Sequence, residues 1–164
     1  MSTHDTNTAP GESAPTDRLS WLLNRFTDTV PGVSHAVLLA RDGLKLLHSD
    51  MHQDWADKLA AAFSGLASLA QNIPGPLNGK LPPQLLIIER EDALFFLQSS
   101  GTSALFKNHP GNQRGTVDTL LGVIAQPDAA VGTVGYEMAH LIDQFAPYMA
   151  TPVRAAMPSD QARR

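Results

Sequence analysis

The middle of the chain contains a segment that has the period of a helix but lacks a polar face. It begins near residues 50–54 and ends at the breaker formed by residues 74–76, and Lys58 is its last charge. Its larger apolar residues at helical spacing are Trp55, Leu59, Phe63, Leu66, Ala70 and Ile73. A helix that is apolar or small on every side is usually buried on more than one side. We therefore expect it to cover a sheet with one side and to meet a second helix with another.

Apolar runs and turn residues on either side of this segment predict a sheet. The predicted strands span residues 33–40, 44–48, 85–89, 93–98 and 119–125. The Asp-Gly pair at residues 42–43 and the short connection at residues 90–92 join the first four strands into two hairpins. Because hairpins replace a regular alternation of strand and helix, the sheet should be antiparallel and covered by helices. The fold class is therefore α+β, in the order α-β-β-α-β-β-β-α.

Two further helices and one long loop complete the predicted domain. Thr16 or Asp17 should cap the first helix, which ends at the Pro-Gly pair of residues 31–32. Thr133 should cap the third helix, whose apolar positions continue to Met149. Between the fourth and fifth strands, residues 99–115 are rich in Gly, Ser, Asn and Pro, which predicts a loop longer than a tight turn.

Composition and charge exclude several classes of function. With 12 basic and 16 acidic residues the formal charge is -4, so nucleic acid is not expected as a partner. The absence of cysteine excludes disulfides, thiolate catalysis and cysteine-based zinc sites. Residues 1–15 lack the apolar stretch of a secretory signal, and no segment approaches the roughly 18 apolar residues of a membrane span. We expect a cytoplasmic domain at residues 16–150, with a disordered tail at 1–15 and a flexible tail at 151–164.

Three candidate motifs do not meet the requirements of the chemical sites that they resemble. Residues 75–81 resemble a phosphate loop, but the spacing is one residue short and leucine replaces the hydroxyl residue. His48 and His52 lie across a predicted strand-to-helix junction, where a zinc site is not expected. The serines of residues 99–103 lie near His109 in sequence, but a catalytic nucleophile is recognised by geometry and turn composition explains them. We predict no catalytic residue, cofactor or metal.

The order of elements and three strings resemble the roadblock / dynein light chain family, especially its actinobacterial members. The strings are Val30-Pro31-Gly32-Val33, the hairpin Ala36-Val37-Leu38-Leu39-Ala40-Arg41-Asp42-Gly43, and Gly132-Thr133-Val134-Gly135-Tyr136-Glu137-Met138. The resemblance covers about residues 17–150 and implies a profilin-like sandwich with a five-stranded antiparallel sheet. It also implies that the edge strand at residues 85–89 pairs with its copy in a homodimer. Residues 106–115 depart from the family as an insertion.

The same resemblance implies a partner and a binding surface. Bacterial relatives accompany a small Ras-like GTPase, in some cases together with a sensor histidine kinase system, and either stimulate GTP hydrolysis or scaffold the GTPase through the surface around the second helix. The expected dimer-interface residues are Trp55, Leu59, Ala62, Phe63, Leu66, Leu85, Ile87 and Glu89. The expected partner-binding residues are Lys58, Ala61, Gly65 and Ser68.

Other interpretations of the sequence stay open at this point. The small residues of the second helix could simply raise helix propensity on an exposed surface. The loop at residues 99–115 could close over a small molecule, which would make the chain a ligand-sensing or general protein-interaction module. An enzyme ranks last, because no constellation of residues requires one.

Overall fold

The predicted hairpins form one antiparallel sheet in the computed structural model, which describes residues 14–106, 109–110 and 115–149. The elements are α1 (Pro15–Thr29), β1 (Val33–Ala40), β2 (Lys45–His48), α2 (Gln53–Gln71), β3 (Leu85–Glu89), β4 (Leu94–Ser103), β5 (Val117–Ala125) and α3 (Val131–Met149). The predicted order of elements is confirmed. Residues 1–13 of the predicted tail at 1–15 lie outside the described residues, whereas Pro15 already belongs to α1. The predicted tail at 151–164 and parts of the predicted insertion also lie outside the described residues.

The strands lie in the spatial order β2-β1-β5-β4-β3, and every neighbouring pair is antiparallel. β5 is the central strand because the chain returns between the two hairpins. β3 therefore lies at one edge of the sheet and β2 at the other. The α+β class with a five-stranded antiparallel sheet is confirmed.

Helices cover both faces of the sheet and create two separate hydrophobic cores. The α1/α3 core joins those two helices to one face of β1, β4 and β5, with Leu23, Phe96 and Phe145 fully covered. The α2 core joins α2 to the opposite face, where Val37 and Phe63 are buried. Alternate residues of each strand point into different cores, which explains why β1 is buried at five consecutive positions, 36–40.

The β2 edge is short and closely tied to the rest of the subunit. All four β2 residues are half-buried. Lys45 Nζ lies 3.1 Å from Asp57 Oδ1 on α2. Beyond the strand, Ser49 extends the pairing with β1, since its backbone N–H donates to Ala36 O at 2.8 Å and its hydroxyl accepts from Ala36 N at 2.9 Å. These contacts anchor β2 to β1 and to α2, while its outer side has no strand partner among the described strands.

The prediction that residues 99–115 form a loop is wrong for residues 99–103, which belong to β4. Their polar side chains are used inside the sheet: Ser100 Oγ lies 2.7 Å from Thr119 Oγ1, which in turn donates to Gly101 O at 2.8 Å. A register shift between Ser99 and Gly101 marks a bulge, and Gly101 has a φ of 84° that favours glycine. The same pairing begins β5 at Val117, two residues before its predicted start.

The predicted caps, Thr16 or Asp17 for α1 and Thr133 for α3, are wrong. Ala14 occupies the N-cap of α1 without a side-chain hydrogen bond, and Pro15 follows at a position where its missing N–H costs nothing. Thr16 therefore lies inside the first turn. α3 begins at Val131, so Thr133 also lies within its helix. The N-cap of α2 is His52, whose ring nitrogen accepts a hydrogen bond from Asp54 N at 3.1 Å.

The packing of α2 on the sheet depends on a glycine in the central strand. Gly122 lies directly beneath the ring of Phe63, and a Cβ atom at this position would stand 2.5 Å from Phe63 Cε2 and 3.2 Å from Val37 Cγ1. Phe63 is only 2% exposed, so its ring has no free space into which it could turn. The absent side chain therefore lets the helix approach the sheet closely.

Replacing Gly122 with alanine should lower the free energy of unfolding by about 1–3 kcal/mol, because the added methyl group overpacks the α2 core. Urea denaturation followed by circular dichroism measures the loss. The matched control is Gly132→Ala on α3, where an added Cβ meets nothing within 4 Å. That variant should be neutral or more stable by up to about 1 kcal/mol. Equal stability of Gly122→Ala and the wild type would contradict the packing described above.

Candidate functional site

Helix α2 presents four distinct sides, which follow from a rotation of roughly 100° per residue. One side rests on the sheet. A second side, toward β2, is held by polar contacts: Asp57 meets Lys45, and the Ser64 hydroxyl donates to Arg41 O at 2.5 Å. Gln71 accepts a further hydrogen bond from Arg41. The contacts of these two sides are made within the subunit.

The third side of α2 points toward β3 and is apolar. It carries Trp55, Ala62, Leu66 and Leu69. Trp55 is 38% exposed and Leu69 is 70% exposed, whereas Leu66 is half-buried. No charged residue interrupts this side between Trp55 and Leu69. We call it the β3 side of α2.

The fourth side of α2 points away from the sheet. Lys58, Ala61, Gly65 and Ser68 follow the 3-4-3 spacing of a single helical stripe, and all four are exposed. An added Cβ at Gly65 would meet nothing within 4 Å, so this part of the stripe is open. The four predicted partner-binding residues therefore share one surface, which we call the outer side of α2.

Strand β3 is apolar yet none of its residues is buried. Leu85 and Ile87 are 40% and 41% exposed and lie on the face of the α1/α3 core, since Ile87 pairs with Phe96 of that core. Leu86 lies on the opposite face, against the α2 core. Because β3 pairs only with β4 among the described strands, its outer backbone groups have no strand partner within the subunit. Such an edge favours pairing with another chain.

The structure divides the predicted dimer-interface residues into three groups. Trp55, Ala62 and Leu66 lie together on the β3 side of α2. Leu59 and Phe63 are instead covered within the subunit, as part of the α2 core, so they are not available as primary contacts. The third group is on the other face of the sheet, at the edge, and consists of Leu85, Ile87 and Glu89.

A cleft of about 350 Å³ lies beside the N-terminal end of α2. His35 and Trp55 form one wall, with ring centroids 4.7 Å apart in a T-shaped contact. Arg90 and Asp92, from the turn between β3 and β4, form the other and are joined by a hydrogen bond of 2.6 Å. The Arg90 guanidinium also lies 5.2 Å from the ring centre of Phe95. We call this the Trp55 cleft.

His35 was not singled out by sequence reasoning, although the alternation of β1 could have identified it. It occupies the face of Val37, which predicts contact with α2. Burial lowers the pKa of the His35 imidazole below its ordinary value of 6.5, and the nearby Asp50 carboxylate partly opposes this change. The neutral form of His35 is therefore favoured in the folded protein.

The other candidate polar residues have structural roles. His48 Nδ1 lies 2.7 Å from Ser49 O, and His52 caps α2. The Ser103 hydroxyl donates to Met149 O at 3.3 Å. Within residues 14–106, 109–110 and 115–149, the structure holds no group of three His, Asp or Glu side chains that could bind a metal ion.

No helix in the described part of the chain is long and apolar enough to cross a membrane.

Acidification should destabilise the protein through His35. Because the folded state lowers the pKa of this imidazole, the unfolded chain binds the proton more readily, and the free energy of unfolding falls as the pH drops below about 6.5. Urea denaturation at about pH 7.5 and about pH 5.5 measures this loss. His35→Gln should lose less stability over the same interval. An identical loss in both proteins would show that His35 does not contribute.

Comparison with known proteins gives a family. The Roadblock/LC7 domain profile matches residues 19–106. The crystal structure of a Roadblock/LC7 domain from Streptomyces avermitilis is 30% identical and covers 79% of this chain and 95% of its own, with a TM-score of 0.64. The gliding protein MglB from Thermus thermophilus has the same fold, with 20% identity, coverage of 84% and 92%, and a TM-score of 0.65. No curated protein matches the chain. The profile match and the Streptomyces relative show that this chain belongs to the Roadblock/LC7 domain family.

Proposed function

We propose that this protein is a non-catalytic, cytoplasmic homodimer that binds a small Ras-like GTPase as a regulatory or scaffold subunit. The GTPase is what the family resemblance implies. The observation that carries the dimer is the open apolar edge at β3, which lies beside the apolar β3 side of α2. Stimulation of GTP hydrolysis and association with a sensor histidine kinase system are finer parts of the same proposal.

Antiparallel pairing of two β3 strands would satisfy the free edge in both subunits. The pair would create one continuous ten-stranded sheet and cover Leu85 and Ile87, which are each about two-fifths exposed in the single chain. It would also bring the two α2 helices together through their β3 sides, since both lie on the same face of the joined sheet. The small Ala62 at the middle of that side allows two helices to approach closely.

The outer side of α2 would remain accessible in such a dimer and would offer the GTPase a paired surface. Small residues at Ala61, Gly65 and Ser68 let a partner come close to the helix backbone, and Lys58 adds one positive charge. A partner that binds one nucleotide state of the GTPase more tightly shifts the switch by that difference in affinity. Regulation thus requires no catalytic residue from this chain.

Ile87→Lys should convert the dimer into a monomer. If the two β3 strands pair about Ile87, the middle residue of the strand, the two lysines would lie opposite each other at the symmetry axis. Like charges in that position destabilise strand pairing. Sedimentation or light scattering gives the solution mass, and circular dichroism checks the fold. Leu44→Lys, at an exposed leucine of the turn between β1 and β2, is the matched control and should remain dimeric. Pairing through β3 is wrong if Ile87→Lys keeps the dimeric mass.

Gly65→Arg should weaken GTPase binding without changing the solution mass. The bulky side chain projects from the outer side of α2, and a loss of at least about tenfold in affinity, roughly 1.4 kcal/mol, is expected. Calorimetry with the GTPase encoded nearest to this chain's gene, loaded with GDP or with a GTP analogue, measures the effect. Gly132→Arg, at an equally open position on α3, is the control. A monomeric wild type that binds neither nucleotide state would overturn the proposed function.

A further inference from the structure

The connection between α2 and β3 exposes several large apolar side chains. Ile73 is 66% exposed, Leu77 is 96% exposed and Leu81 is 77% exposed. The connection nevertheless has defined internal structure, since Gly75 N donates to Gly79 O and Asn78 N to Gly75 O, each at 2.8 Å. Three large apolar residues held in an ordered segment, without cover from their own subunit, indicate a surface that another chain covers.

The direction of α2 relative to β3 follows from contacts at its two ends. Trp55, near the N-terminal end, contacts His35 at the beginning of β1, while Gln71, at the C-terminal end, is bonded to Arg41 just beyond β1. α2 therefore runs along β1 from its beginning to its end.

The register of the sheet shows which end of β3 lies beside each end of α2. Val33, at the beginning of β1, pairs with Ala125 of β5. Ala125 also pairs with Leu94 of β4, and Leu94 pairs with Glu89 at the end of β3. The N-terminal end of α2 and the Trp55 cleft thus lie at the Glu89 end of β3. The C-terminal end of α2 and the exposed connection lie at the opposite end, where β3 begins at Leu85.

Pairing β3 with its copy reverses these ends in the second subunit. In an antiparallel pair centred on Ile87, the middle residue of the strand, Leu85 of one copy stands opposite Glu89 of the other. One position further out, Gln84 stands opposite the other copy's Arg90, which is bonded to Ala93 across the turn after β3, and both of these residues line the Trp55 cleft. Each connection therefore arrives at the other subunit's cleft, and the two-fold symmetry repeats the contact on both sides.

We infer that the connection at residues 72–84 of one subunit closes the Trp55 cleft of the other, with Ile73, Leu77 and Leu81 supplying the apolar contact. This inference rests on the proposed homodimer and adds a second, reciprocal contact to the pairing of β3. The cleft has apolar surface from Trp55 and Phe95 to receive those side chains. Neither region is complete in a single subunit, and the pairing that covers the β3 edge brings them together.

Tryptophan fluorescence tests the contact in the full chain. Trp21→Phe leaves Trp55 as the one indole, because the sequence contains two tryptophans. In that background, Leu77→Ser combined with Leu81→Ser should shift the Trp55 emission to longer wavelength and increase its quenching by acrylamide, while the solution mass stays dimeric. Leu44→Ser is the matched control at an exposed leucine far along the sheet from β3, and it should leave the Trp55 emission unchanged.

Cross-linking gives a second, independent measurement. Because the chain has no cysteine, Gln53→Cys and Ile73→Cys can be introduced singly into two separate chains and mixed. A short bis-maleimide should link the two different chains, since the C-terminal end of α2 in one subunit meets the N-terminal end in the other. A pair of Gln53→Cys chains should give a lower yield of cross-linked product.

The outcomes separate this inference from the homodimer on which it rests. A monomeric mass for the unsubstituted protein would remove both. A dimeric mass with unchanged Trp55 emission after the double substitution, or without the mixed cross-link, would overturn the inference and leave the homodimer standing. Emission that shifts only when the GTPase is added would assign the cleft to the GTPase and overturn the inference as well.

Discussion

The contact between the Phe63 ring and the backbone of Gly122 sets the position of α2, and the exposed surfaces of the protein follow from it. Since the ring fills the space of a missing side chain, the helix lies close to the sheet and its rotation is fixed. Polar contacts toward β2, including that of Asp57 with Lys45, hold the same orientation. The subunit leaves two sides of α2 uncovered: the apolar β3 side, and the outer side, where small residues follow Lys58.

A single pairing geometry relates two features that are far apart in one subunit. The open edge at β3 and the exposed leucines that precede it both lie outside the two cores. In an antiparallel dimer, the first is covered by strand addition and the second by the partner's Trp55 cleft. A large apolar side chain such as Leu77, almost fully exposed in the single chain, then has a physical explanation.

Local patterns in the sequence predicted the fold well because most of the decisive signals are short-range. The Asp-Gly turn at residues 42–43 identified the first hairpin, and the apolar run at residues 85–89 gave β3 with its observed bounds. The end of β4 was missed because Ser100 and Ser103 resemble turn residues, and only the tertiary structure shows that their hydroxyls bond to Thr119 of β5 and to Met149 of α3. The start of α1 was missed because its N-cap, Ala14, makes no side-chain hydrogen bond, and α3 begins two residues before Thr133.

The sequence predicted that the candidate surface lies on α2, but not which residues of that helix face the sheet and which remain exposed. Sequence periodicity placed Trp55, Leu59 and Phe63 together as apolar residues of α2, whereas their division between surface and core depends on where the sheet lies. His35 lacked any local signal of function, since its importance comes from a contact with α2 across the sheet face. Tertiary contacts of this kind are not encoded in any single window of residues.

The contrast between the two edges of the sheet limits how many copies can join. β2 is four residues long and half-buried throughout, and its Lys45 is bonded to α2, so it is a poorer template for a further strand than the apolar β3 is. A sheet with two open edges could grow into a filament, whereas a sheet with one open edge is complete once that edge is used. Under the proposed pairing, assembly ends at a closed dimer. The apolar strand β3 is then covered and can no longer pair with further chains to form a fibril.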